Sequence, residues 1–247
     1  MTTNNDTNKA IALVTGGSRG IGFEVCRQLA EKDMTVILTA RDWAKAESAA
    51  GQLAAAGLDV RPQVLDVADD ESVRQLALEL EQEFGRLDVL VNNAAAYVNW
   101  METASTADLQ SAREVLETNL FGPWRVTQLL LPLLRRSAHG RIVNVSSGAG
   151  SHGETQFGLT TNRGSVASYG ISKAALNGLT AKLAAELAET GILVNAVCPG
   201  LTATAPGMEV MGARPIPEGA ASVVWAALLP DDGPTGGFFR DGKPLPW

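Results

Sequence analysis

The stretch Ile11-Ala12-Leu13-Val14-Thr15-Gly16-Gly17-Ser18-Arg19-Gly20-Ile21-Gly22 decides the fold. It opens with a short apolar run lacking polar alternation, the pattern of a strand buried on both faces. Three glycines follow at Gly16, Gly20 and Gly22, and then Val25, Cys26 and Leu29 recur at helical spacing up to Lys32. Strand, glycine turn and helix in direct succession give the glycines a physical purpose. They permit a tight turn and a close backbone approach, while the helix N-terminus offers free N–H groups and a partial positive charge to a pyrophosphate. A plain strand-to-helix turn accounts for one glycine, not for three at this spacing.

Outward from this unit the same alternation repeats. Apolar runs at residues 35–39, 60–65, 87–91, 141–145 and 192–197 read as strands, with a further short one near 237–240. Helical patterns cover 43–56, 69–84, 106–136, 166–190 and 218–229, and Pro123 is expected to bend or interrupt the long one. Strict alternation implies one doubly wound parallel β-sheet of about seven strands flanked by helices, a single-domain Rossmann fold. No composition shift, repeat or linker divides residues 9–247, and the polar residues 1–8 are expected to be flexible. The chemistry-bearing residues cluster after strands, where ligands bind in open α/β sheets.

Composition narrows the partners. The 20 Lys and Arg against 27 Asp and Glu leave a net charge of −7, which argues against nucleic acid or an anionic membrane as main partner. Cys26 and Cys198 lie in apolar runs without zinc-ligand spacing, as expected of buried thiols in a reducing compartment. No metal is expected. The polar start resembles neither a signal peptide nor an anchor, and no apolar run approaches the length of a membrane span. The chain therefore reads as cytoplasmic.

In Ser168-Tyr169-Gly170-Ile171-Ser172-Lys173 the phenol and the ammonium stand one helical turn apart on the same face. A nearby positive charge favours phenolate and would lower the tyrosine pKa from its reference of about 10. The serines Ser146-Ser147, at the end of a strand, supply a hydroxyl for a carbonyl oxygen that the phenol protonates.

Taken together, the Thr15–Gly22 pattern T-G-x-x-x-G-x-G, Asn92-Asn93-Ala94-Ala95, Asn119, Asn144-Val145-Ser146-Ser147, Tyr169-x-x-x-Lys173 and Pro199-Gly200 resemble the short-chain dehydrogenase/reductase family. The narrower likeness is to its NADPH-dependent carbonyl reductase branch, which the tail segment Gly236-Gly237-Phe238-Phe239 also resembles. The resemblance implies a tetrad of Asn119, Ser147, Tyr169 and Lys173. Ser147 binds the substrate oxygen, Tyr169 is general acid in reduction and base in oxidation, Lys173 holds the nicotinamide ribose, and Asn119 holds a water. It also implies NADPH/NADP+ contacts from Gly16, Ser18, Arg19, Gly20, Ile21 and Gly22, and from Asp66 and Val67 at the adenine. Asn93, Ala94 and Ala95 would serve the adenosine ribose, and Pro199, Gly200, Thr202 and Thr204 the nicotinamide and pyrophosphate. Ala40 stands where an NAD enzyme usually carries an acid, and Arg41 with Arg19 would grip a 2′-phosphate.

Two departures stand out. Ala95 replaces a glycine, and Ser147 and Tyr169 are further apart than the family usually places them. The surplus, residues 151–165, resembles a shortened carbonyl reductase insertion, in which His152 reads as solvent-facing or as a substrate contact. Residues 201–217, with Met208, Val210 and Met211, suit a lid over an apolar substrate, and Tyr97, Trp100 and Met101 suit the opposite wall. The expected activity is reduction of aldehydes and ketones to alcohols. Alternatives are an NAD-linked alcohol or hydroxysteroid dehydrogenase of the same fold, an epimerase or dehydratase, and a non-catalytic NADPH sensor. The expected partner is a small carbonyl or alcohol substrate. A homo-oligomer, dimer or tetramer, is expected, with a monomer as the alternative.

Overall fold

The computed structural model describes residues 9–247; the expectation of a flexible N-terminus at 1–8 lies outside the described residues. Eight strands form one sheet: β1 (Ile11–Val14), β2 (Thr35–Ala40), β3 (Val60–Val64), β4 (Val89–Asn92), β5 (Arg141–Val145), β6 (Leu193–Val197), β7 (Phe238–Arg240) and β8 (Lys243–Pro244). Their spatial order is β3-β2-β1-β4-β5-β6-β7-β8, and every pairing is parallel except β7 with β8. The chain thus builds outward from β1 to one edge, returns to β4 and builds to the other. The crevice at that reversal is where an open sheet of this kind takes its ligand.

Because strand side chains alternate between faces, each strand feeds two cores. Ala12, Val14, Val36, Leu38, Val89 and Val91 pack against helices α1 (Gly20–Ala30), α2 (Trp43–Ala55) and α7 (Ile216–Ala227). Ile11, Leu13, Ile37, Leu90 and Ile142 face α3 (Asp70–Glu83), α5 (Gly122–Leu134) and α6 (Ala167–Glu186). With both faces covered, the central strands have no solvated side, which explains their continuous apolar reading. Pro62 sits in β3, an edge strand where a missing N–H costs no ladder bond on the solvent side. Cys26 and Cys198 are free and buried.

Two expectations hold in outline and gain detail. The sheet has eight strands rather than about seven: Asp241 and Gly242, both at positive φ, turn β7 back into the two-residue β8. That Asp-Gly pair is a hairpin signal legible in the sequence. The long helix expected over 106–136 is α4 (Leu109–Leu116), a π-helical turn (Glu117–Phe121) and then α5. Pro123 is the physical cause, but the break lies one turn ahead of it. Proline has no N–H for the carbonyl of Asn119 four residues earlier, so the bonding register slips there.

Candidate active site

The glycine turn after β1 is shaped by what surrounds it. Gly16 adopts φ 65°, and a side chain at Gly22 would collide with the Asn93 amide and the Gly16 carbonyl. Asn93 donates from its side chain to the carbonyls of Thr15 (2.9 Å) and Gly16 (3.0 Å), and the Thr15 hydroxyl accepts from the backbone N–H of Asn93 and Ala94. Asn93 and Ala94 therefore brace the turn from β4, and Ala95 follows them half-buried. Gly20, at φ 57°, differs: a side chain there would meet only Thr204, at 3.6 Å. The glycine turn and the loop after β6 thus approach each other at Gly20 and Thr204.

Helix α1 starts at Gly20 without a side-chain cap and without an acid in its first turn. By contrast α2, α3 and α4 are capped by Asp42, Asp69 and Asp108. A bare N-terminus beside an open cradle fits a pyrophosphate, with Ser18 and Ile21 at its rim. Arg19 and Arg41 are exposed nearby, and among the described residues neither pairs with a carboxylate. Asp42 is engaged elsewhere, accepting the Lys45 N–H at 3.0 Å as the cap of α2. After β3, Asp66 accepts the Ala68 N–H at 3.0 Å. Val67 is buried, its carbonyl held by Arg125, which also pairs with Asp70 and Glu117. The residues present thus fit a dinucleotide.

At the end of β5 the two serines part. Ser146 is buried and donates to Asn177 Oδ1 at 2.6 Å, whereas Ser147 hydrogen-bonds to Tyr169. Burial, and then the neighbouring Tyr97, push the Tyr169 phenol well above the ordinary tyrosine range, while the Ser147 hydrogen bond pulls the other way. This corrects the expected depression by Lys173. The Lys173 ammonium lies 5.6 Å from the ring centroid and donates to the Val145 carbonyl at 2.8 Å, away from the hydroxyl. Lys173 is itself buried, and desolvation lowers its pKa to about 8.

Asn119 is wholly buried. Its amide accepts from Ala96 N–H (2.7 Å) and donates to the Ala96 carbonyl (2.9 Å) and to Ser172 Oγ (3.0 Å). Its side chain is thus engaged with Ala96 and Ser172, while Pro123 leaves the Asn119 backbone carbonyl without an α-helical donor. Beyond β6, Pro199 and Gly200 are held by Arg214, whose Nε donates to the Pro199 carbonyl at 2.7 Å. Thr202 is buried and turns its hydroxyl to the Pro199 and Gly200 carbonyls, so its side chain points away from the cleft; Thr204 is exposed. Val210 and Met211, in the segment expected to act as a lid, are exposed.

Several neighbours were not foreseen in full. The Tyr97 ring stacks on Tyr169 with centroids 5.2 Å apart, and a cavity of about 580 Å³ opens beside it, lined in part by Met101, Glu102 and Val115. Cys198 Sγ accepts from the N–H groups of Gly148 (3.2 Å) and Gly200 (3.4 Å) and from Arg240 (3.2 Å), joining the serine loop to the loop after β6. Arg240 also holds Glu154, from the extra segment, at 2.9 Å. The C-terminal Trp247 stacks on Phe238, and its carbonyl accepts from the N–H groups of His152 and Gly153. No short-range pattern announces the stacking of Tyr97 on Tyr169 or the bonds from Gly148 and Arg240 to Cys198, because their partners are far apart in sequence.

Comparison with known proteins agrees with this geometry. Residues 10–213 match the family described as short chain dehydrogenase. Carbonyl reductase (NADPH) 3 of Mus musculus is 36% identical, with 96% of this chain and 98% of that one covered. Salutaridine reductase of Papaver bracteatum is 34% identical, with 98% and 97% covered. The crystal structure of NADPH-bound carbonyl reductase from chicken fatty liver superposes with a TM-score of 0.85 at 28% identity, covering 97% of this chain and 99% of that one.

Proposed function

The chain belongs to the short-chain dehydrogenase/reductase family, and on that premise we propose that it is an NADPH-dependent reductase of aldehydes and ketones. The observation that carries this reading is the meeting of Ser147, Tyr169 and Lys173 where β5 and α6 converge, with Ser146 withdrawn to Asn177. NADPH/NADP+ is the cofactor that the named relatives support. The residues that would hold it are the glycine turn with Ser18, Arg19 and Ile21, then Arg41, Asp66, Val67, Asn93, Ala94 and Ala95, and the 199–204 loop. Arg19 and Arg41 would meet the 2′-phosphate, because planar guanidinium groups bind phosphate oxygens through several donors.

When bound, NADPH supplies a hydride to the carbonyl carbon. Ser147 would hold the substrate oxygen and Tyr169 would deliver its proton there. The phenol carries its proton at neutral pH, the form that reduction needs, and the upward push from burial makes it a weaker acid than a free tyrosine. Lys173 would hold the nicotinamide ribose, and the Asn119 backbone carbonyl would keep a water in reach for reprotonation. The 201–217 segment is proposed as the lid over the substrate.

Purified protein should consume NADPH when offered a panel of aldehydes and ketones and should yield the alcohols. No turnover across the panel, with NADPH still bound, would favour the sensor reading instead. We also place the protein in the cytoplasm; among the described residues no helix is long and apolar enough to cross a membrane. A homo-oligomer, dimer or tetramer, is part of the proposal, with exposed Phe121 and Trp124 at the start of α5 as its apolar surface. Sedimentation would test it.

A further inference from the structure

Helix α6 carries Tyr169 in its first turn, yet it cannot cap itself. The residue before it, Val166, stands at φ 50° and ψ 41° and offers no oxygen to the free N–H groups. Such a left-handed turn is costly for a β-branched residue, so something must hold the helix start in place. The carboxylate of Glu102, 66 residues earlier, does so. It accepts the Ser168 N–H at 2.8 Å and the Ser168 hydroxyl at 2.6 and 2.7 Å, and the Glu102 backbone carbonyl accepts the Ala167 N–H at 3.3 Å. An anionic acceptor at a helix N-terminus gains from both the hydrogen bond and the helix dipole.

The loop that delivers Glu102 is tied to the same helix a second time. Ala96 is bonded in both directions to Asn119, which donates to Ser172, one turn beyond Ser168. Between the two ties, Tyr97 stacks on Tyr169. Residues 96–102 thus form a strap over the first turns of α6, fastened at Ser168 and at Ser172.

We propose that Glu102 is a positioning residue for the reaction: as the cap of α6 supplied by the substrate-wall loop, it fixes the Tyr169 phenol and the Tyr97 wall in mutual register. This rests on Tyr169 being the proton donor. It assigns Glu102 a role that runs through Ser168 rather than through the reacting atoms. Because chemistry depends steeply on alignment, a displacement of about 1 Å from a distant substitution can cost on the order of 100-fold.

The test compares Glu102→Ala, Glu102→Gln and Tyr169→Phe in the full chain, assayed well below the melting temperature of each variant. Glu102→Gln keeps an acceptor for the Ser168 N–H and loses the charge. The inference requires that Glu102→Ala lower kcat by about tenfold or more with NADPH affinity within about twofold of wild type. Hydrogen exchange at 167–170 should speed up, and Glu102→Gln should recover most of kcat. It is overturned if folded Glu102→Ala keeps kcat within about twofold, if exchange at 167–170 is unchanged, or if Glu102→Gln is as impaired as Glu102→Ala. Tyr169→Phe separates the two levels. If it stays active, the proton-donor reading fails and the inference with it. If it is inactive while Glu102→Ala is not, only the inference fails.

Discussion

Ser146 and Ser147 are adjacent and chemically identical, yet their surroundings give them different work. Ser146 spends its hydroxyl on Asn177, while Ser147 reaches Tyr169. Tyr169→Phe removes the group proposed to protonate a substrate oxygen, and a positioned proton donor typically contributes 10²–10⁴-fold, so kcat should fall by at least about 100-fold. NADPH affinity should hardly change. Ser147→Ala should be comparably damaging and Ser146→Ala mild; the reverse order in steady-state kinetics would place the working serine one position earlier. Lys173 supports a prediction about stability. Its folded pKa, about 8, lies below the unfolded value, so the unfolded chain binds more protons between those two pH values. The desolvation cost of the buried ammonium is fully present below about pH 8 and is relieved as pH rises. Wild type should therefore gain melting temperature relative to Lys173→Met between about pH 8 and pH 10. A constant difference across that window would mean that Lys173 keeps its charge there and that its folded pKa is not lowered.

At the scale of elements, the extra segment between β5 and α6 divides into two parts with different attachments. Residues 151–159 are fastened: Ser151 Oγ donates to the Pro246 carbonyl, Glu154 pairs with Arg240, and Leu159 lies near Gly170 of α6. Residues 160–165 carry fewer such ties and wind through positive φ at Asn162, Arg163 and Gly164. Shortening within 160–165 should leave the fold and NADPH affinity intact while changing the ranking of bulky against small ketones. An unchanged ranking in a folded variant would mean that this part faces away from the cleft. Deletions that reach 151–159 should instead lower the melting temperature, since they release the C-terminal tail and its Trp247 stack on Phe238. The π-turn is a second case of an element set by one residue. Pro123 denies Asn119 its helical donor, and the resulting turn holds the Asn119 amide against Ala96 and Ser172.

For the whole molecule, the proposed cofactor cradle spans both sides of the β1–β4 reversal and would draw on loops after β1, β2, β3, β4 and β6. A ligand that bridges so many loops favours the folded state by mass action. At 100 times its Kd it adds about 2.7 kcal/mol, and for a chain of this size each kcal/mol shifts the melting temperature by about 2–4 °C. NADPH at that level should raise the melting temperature by roughly 5–11 °C, and NADH at the same concentration by much less. Arg41→Ala should remove most of the difference. A charged hydrogen bond is worth about 1.5–3 kcal/mol, so NADPH should weaken by about 10- to 100-fold while NADH is unaffected. Equal shifts by both cofactors in wild type, or equal losses in the variant, would place the 2′-phosphate elsewhere.

The sequence by itself determined the layers and the strand ends, because both follow from local periodicity. Apolar runs alternating with 3.6-residue patterns permit few arrangements, and Gly16, Gly20 and Gly22 mark the turn whatever lies around them. It also pointed to Tyr169 and Lys173 through their i, i+4 spacing, and to Ser147 through the family resemblance. What it could not carry were interactions between residues distant along the chain. The upward push on the Tyr169 phenol comes from burial under Tyr97, a neighbour 72 residues away, where i, i+4 proximity to Lys173 had suggested the opposite. The bonds from Gly148 and Arg240 to Cys198 Sγ depend on loops meeting only in the folded sheet. Glu102 is the plainest case. Nothing around it marks it out, and it becomes the cap of α6 because packing closes a 66-residue loop onto a helix start that lacks an acceptor of its own.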